Sequence, residues 1–137
     1  MIVMRALRDA ERRAARVEYL MPQGAGAPRL ARRLTRSFLA GRTDGTAADA
    51  ELVVSELVTN ANKASGGRCR MSLRLNDAGE LTVAVHDDGP GLPRLKPASQ
   101  SAESGRGIAL VHALANQWSV EPHPRGGKTV RAVLAPC

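Results

Sequence analysis

The sequence predicts an α+β fold, a two-layer α/β sandwich in which helices cover one face of a mixed, mostly antiparallel sheet. Three observations carry this. MSLRL (residues 71–75) and LTVAVHD (residues 81–87) alternate apolar and polar side chains with a period of two, and NDAGE joins them as a hairpin would. Two stretches between residues 29 and 64 repeat their apolar residues at helical spacing. The helices therefore come as a group, and antiparallel strands dominate afterwards, which favours helices packed on one side of a sheet.

Each element can be read in chain order. Residues 1–15 are charged and rich in Ala and Arg, and are expected to be a loose extension before a single domain over residues 16–137. RVEYLM (16–21) alternates well enough for an edge strand, and PQGAGAP (22–28) is a loop. Over residues 29–39, Leu30, Leu34 and Phe38 recur at four-residue steps with Arg between them, an amphipathic helix. After the break at residues 41–45, Thr46 with Asp49 resembles an N-cap and an acidic first turn, opening a helix over residues 47–64 that stops before Gly66 and Gly67. The hairpin follows, then a Gly/Pro-rich polar stretch over residues 89–105, then a helix over residues 106–116 with Ile108, Val111, Leu114 and Ala115 on one side. Two strands, residues 118–121 and 129–134, flank a PHPRGG turn.

Composition limits what the chain can be. A length of 137 residues suits one domain with one core, and one each of Trp, Tyr and Phe make that core aliphatic. No apolar run approaches the roughly 18 residues of a membrane span, and the charged N-terminal stretch lacks a signal peptide's apolar region. Cys69 and Cys137 have neither metal nor disulfide spacing, so inert thiols in a reduced, cytoplasmic protein are expected. The net charge of +7 is compatible with nucleic acid, but Arg is dispersed and no aromatic platform exists for bases. A solvated basic surface, or a docking face for an acidic protein or polyphosphate, fits better. His86, His112 and His123 stand isolated in the sequence, and the first two read as packing or surface residues.

The stretch SELVTNA (55–61) sets a carboxylate and a carboxamide among apolar residues. With Val53 at zero on the helical wheel, Leu57 lies at roughly +40°, Asn60 at −20° and Glu56 at −60°. The pair thus adjoins the apolar arc, one turn apart. A buried carboxylate without a partner costs several kcal/mol, so Glu56 must be paired, bound to a cation or facing a wet pocket. Three further stretches bear on the choice. VHDDGPGLP sets Asp87 at a strand end with Gly89 and Gly91 after it, which is either a plain turn or a close backbone approach to a ligand. ESGRGIALVHALA sets Gly105 and Gly107 before an apolar helix, either a hinge or a phosphate site at free N–H groups. GGKTV enters the last strand.

Taken as an ordered set, these motifs resemble the GHKL (Bergerat-fold, histidine-kinase-like) ATPase superfamily. The sequence is most similar to its small stand-alone branch, the anti-sigma-factor serine/threonine kinases of the actinobacterial type, over about residues 29–134. The resemblance implies ATP or ADP with Mg²⁺ as cofactors. It assigns Asn60 to Mg²⁺ and Glu56 to the general base. Asp87 would accept the adenine amino group, above the turn of Gly89 and Gly91. Gly105, Arg106, Gly107 and Ile108 would meet the phosphates, Lys63 would keep a basic group beside them, and Thr129 would support the adenine site. Residues 92–104 would form the lid. Two positions depart from the pattern: Ala64 stands where relatives often have His, and Arg131 where they often have an aromatic residue.

The function implied is an Mg-ATP-dependent protein serine/threonine kinase that is also an anti-sigma factor. Its partners would be a sigma factor and an anti-anti-sigma antagonist that it phosphorylates, and it would form a homodimer, with no membrane or direct nucleic-acid partner. A non-catalytic ATP-dependent binding switch is the alternative, and a basic nucleic-acid-binding domain with a vestigial pocket a third reading. A histidine-kinase fragment is disfavoured, because no dimerisation helix with a phosphoacceptor His is read in the sequence.

Overall fold

The computed structural model describes residues 14–43, 45–65, 68–89 and 104–136. The extension expected before the first strand, Gly91, most of the expected lid and Cys137 lie outside these residues. The described chain forms β1 (Ala15–Met21), α1 (Ala27–Leu39), α2 (Ala47–Ser65), β2 (Cys69–Leu75), β3 (Leu81–Asp87), α3 (Ser104–Leu114), β4 (Gln117–Pro122) and β5 (Lys128–Leu134).

The five strands make one sheet in the order β1-β2-β3-β5-β4, and every described pairing is antiparallel. Alternation sorts the two faces. Met71, Leu73, Leu75, Leu81, Val83, Val85, Val130, Ala132 and Leu134 are buried on the helix side. Arg70, Ser72, Arg74, Thr82, Ala84, His86, Thr129 and Arg131 have the opposite parity and form the other face.

The central helix α2 packs on β3 and lies between α1 and α3. Its Ala50, Val53, Val54, Leu57, Val58 and Ala61 are buried. At roughly 1.5–3 kcal/mol for a fully buried Val or Leu, this stripe holds α2 to the sheet. α1 starts two residues earlier than the periodicity suggests, with a Pro in its first turn, where a missing N–H costs nothing. Its innermost residues are Ala27, Ala31, Thr35, Phe38 and Leu39, while Leu30 and Leu34 are only half-buried. The predicted stripe is therefore rotated. Small side chains face inward because they let α1 lie close against α2, and the larger leucines fill the flank.

Thr46 precedes α2, and its carbonyl accepts the Ala50 N–H at 3.0 Å. Its hydroxyl, however, is buried and makes no hydrogen bond among the described residues, so the expected side-chain cap is absent. α3 begins at Ser104, so Gly105 and Gly107 lie inside its first turn and do not precede it.

Candidate functional site

The two flanks of α2 do different work. On one flank, Arg32 Nη1 donates to Ser55 Oγ at 2.7 Å, Arg36 Nη2 meets Glu51 Oε1 at 2.6 Å, and Asn62 Nδ2 donates to the Gly24 carbonyl at 3.1 Å. These bonds tie α2 to α1 and to the loop before it. At about 100° per residue, Glu56, Asn60 and Lys63 fall on the opposite flank. α1 touches β1 and α3 touches β4, at the two edges of the sheet, so that second flank is the one turned toward α3.

Glu56 and Asn60 are half-buried, as expected for residues bordering an apolar stripe, and Lys63 is exposed. Asn60 Nδ2 is buried and has no hydrogen-bond partner among the described residues. A buried amide group without a partner costs about 1–3 kcal/mol, so this position favours a partner from outside the described residues. Oxygen and nitrogen of an Asn amide exchange by a flip. The same side chain can therefore offer its oxygen to a cation. One amide oxygen beside a carboxylate suits Mg²⁺, which takes most of its octahedron from water and phosphate. The residues fit that ion.

Across the site, Asp87 ends β3 on the buried parity and is 2 % exposed. Its Oδ1 accepts the Gly89 N–H at 2.9 Å, which holds the chain after β3 against the carboxylate. The same oxygen accepts from Lys128 Nζ at 3.1 Å, and the lysine side chain is 4 % exposed. Asp87 and Lys128 are direct cross-strand partners. Gly127 makes this approach feasible. Its φ is +86°, and a Cβ there would run into the Asp87 carbonyl oxygen and lie 2.9 Å from Asp88 Cα. Lys128 was missed in the sequence. The signal was strand parity, because Lys128 shares its face with Val130, Ala132 and Leu134.

The structure does not bring the Thr129 side chain to Asp87. Thr129 pairs with His86 in register and lies on the sheet's other face. Its hydroxyl is 3.2 Å from His86 Nδ1 and 2.8 Å from His123 Nε2. The two imidazoles meet edge to face with centroids 4.8 Å apart, and His86 Nε2 lies 3.2 Å from Asp88 Oδ1. His86 and His123 are thus a pair joined through Thr129 and not isolated residues. His112 accepts the Trp118 indole N–H at 2.9 Å, a surface packing role as expected.

Cys69 opens β2 and is buried. Desolvation, then the nearby Asp87 charge, pushes its thiol up to about 11. It stays protonated and unreactive at neutral pH. Gly105, Arg106 and Gly107 fall in the first turn of α3 and Ile108 follows it, and the first backbone N–H groups of a helix lack intrahelical partners. α2 thus carries a carboxylate and a buried amide, α3 a helix start, and β3 with β5 a buried acceptor–donor pair, and α2 packs on both α3 and β3. Such a set can hold an anion with a cation at one end and read a polar ring edge at the other.

The sequence matches the family described as histidine kinase-like ATPase domain over residues 22–134. No curated protein matches it. Among solved structures, the chain is similar to the RsbU and RsbW domains of Rv1364c from Mycobacterium tuberculosis, with a TM-score of 0.66 and 20% identity over 89% of this chain and 32% of that one. It thus spans about a third of that protein's solved chain. It is also similar to the SiaB–SiaC complex from Pseudomonas aeruginosa, with a TM-score of 0.66 and 14% identity over 97% of this chain and 98% of that one. At these identities the likeness is one of fold. No described helix is long and apolar enough to cross a membrane.

Proposed function

The chain belongs to the histidine kinase-like ATPase domain family, and on that premise we propose that it is an Mg-ATP-dependent protein serine/threonine kinase and anti-sigma factor. It would hold a sigma factor inactive and phosphorylate a small anti-anti-sigma protein, and phosphorylation would decide which partner is bound. The observation that carries this reading is the flank of α2. There the buried Asn60 Nδ2 has no partner among the described residues, one turn from the half-buried carboxylate of Glu56.

In this proposal Asn60 would hold Mg²⁺, which would supply neutralisation of phosphate charge. Glu56 takes the proton from the substrate hydroxyl as its oxygen forms a bond to the γ-phosphorus and the bond to the β-phosphate oxygen breaks. The first turn of α3 donates N–H groups to the phosphates. Asp87, fixed through Oδ1 by Gly89 and Lys128, receives the adenine amine at Oδ2. The fold likeness to a protein solved in complex with a second protein, SiaB with SiaC, supports a protein partner.

Calorimetric titration with ATP, with and without Mg²⁺, tests the site. Binding should be saturable and Mg-dependent, and Asn60→Ala should remove the Mg dependence. Phosphotransfer to candidate antagonists should then fall about 10²–10⁴-fold in Glu56→Gln while ATP binding persists. Binding without transfer to any antagonist would leave a nucleotide-driven switch in place of a kinase. No binding by the wild type would refute the proposal.

A further inference from the structure

The sheet face opposite the helices carries a feature that the nucleotide reading does not use. Arg16 on β1 and Arg74 on β2 are direct cross-strand partners. Directly opposed residues hold their Cβ atoms about 4.5–5.5 Å apart, and like charges so placed are destabilising. Both side chains are exposed. The face is not short of carboxylates: Arg70 meets Glu18 at 3.4 Å, and Arg131 meets Glu121 at 3.4 Å. Among the described residues, Arg16 and Arg74 have no such partner.

The two arginines rim a groove of about 430 Å³, with Arg131 across it and Ser72, Thr82 and Ala84 lining it between. Those three residues sit on the middle strands β2 and β3, where small side chains leave the sheet surface low. We infer that this groove is a docking site for an acidic segment of a partner protein, with a carboxylate seated between Arg16 and Arg74. Carboxylate oxygens match the planar donor fork of Arg, and one shared anion would turn the opposed pair from a repulsion into a clamp.

The surroundings select this occupant. Glu80 lines the same groove, and Glu18 lines a smaller depression of about 250 Å³ that shares Ser72, Ala84 and Arg131 with it. Interspersed carboxylates disfavour a nucleic-acid backbone, and no Phe, Tyr or Trp lines either depression to stack a base. Val133 and Ala84 offer apolar contact of the sort a peptide uses. A second copy of this chain carries a net charge of +7 and would add repulsion. The inference stands on this face and does not depend on the nucleotide reading.

Fluorescence anisotropy of the full chain against a labelled peptide that alternates Glu with Ala and Leu tests it. Inorganic tripolyphosphate and a labelled DNA oligonucleotide serve as rival probes. Peptide binding should saturate and weaken about tenfold in Arg16→Gln or Arg74→Gln, the loss of a charge-assisted bond. Arg33→Gln removes the same charge from an exposed site on α1, and should leave binding unchanged. Arg74→Gln should melt at or about 1 °C above the wild type, because it relieves a like-charge pair. Equal weakening by Arg33→Gln would overturn the inference, as would no saturable peptide binding at low salt. Oligonucleotide or tripolyphosphate binding tighter than the peptide's would overturn it too.

Discussion

Lys128→Met isolates the contact that holds the Asp87 carboxylate. The ammonium sits 3.1 Å from Asp87 Oδ1, with the two side chains 4 % and 2 % exposed. At an effective dielectric constant of about 20, that separation corresponds to about 5 kcal/mol of gross attraction. Desolvation cancels much of it in the intact pair, but the variant leaves the desolvation in place and removes the attraction. Breaking a buried pair from one side costs about 3–5 kcal/mol. For a chain of this size, roughly 4 °C of melting temperature goes with each kcal/mol, so Lys128→Met should melt more than about 10 °C lower. Asp87→Asn should cost a similar amount. Lys128→Met combined with Asp87→Asn should cost clearly less than the two singles together, because no unpaired charge remains. Urea unfolding of the four proteins reads all of this. A Lys128→Met loss below about 1 kcal/mol, or strict additivity in the cycle, would show the pair to be solvated. The account of the Asp87 carboxylate as a held acceptor would then fail.

Other outcomes follow from the same geometry. Glu56→Gln should lower phosphotransfer about 10²–10⁴-fold, the range for a lost general base, with ATP affinity retained in calorimetry. Thr129→Val should leave ATP affinity within about twofold while changing the His86 and His123 side-chain resonances in NMR, since its hydroxyl serves the imidazoles on the other face. Gly127→Ala forces a Cβ into the Asp87 carbonyl at a φ of +86°, and should destabilise by about 2 kcal/mol or more in urea. Cys69 should resist thiol reagents at neutral pH. Its thiol keeps its proton to about 11, against an ordinary 9.0, so the unfolded chain releases that proton first. The Cys69 contribution is therefore full below about pH 9 and falls as pH rises toward about 11. Cys69→Ala should flatten that part of the stability–pH curve.

Most of this fold was legible because one force wrote it plainly. β3 was predicted to the residue, since LTVAVHD alternates without interruption and ends at a turn. The other element ends shifted by only one or two residues, because strand pairing carries Cys69, Gln117 and Lys128 into ladders that periodicity alone does not detect. The α1 stripe was misread for a different reason. Apolar bulk points to Leu30 and Leu34, whereas helix-on-helix contact is closest where side chains are small, at Ala27 and Ala31. The candidate site divides the same way. Glu56 and Asn60 were readable because a polar pair beside an apolar stripe needs an explanation wherever it occurs. Thr129 was placed by motif likeness alone, and the rule of alternation speaks against that placement. Val130, Ala132 and Leu134 lie on the buried face with Asp87, so Lys128 must lie there too and Thr129 must turn away. A buried lysine at that register needs a charged partner. Only the pairing of β3 with β5 sets Lys128 against Asp87, and that pairing is a long-range fact no local pattern contains.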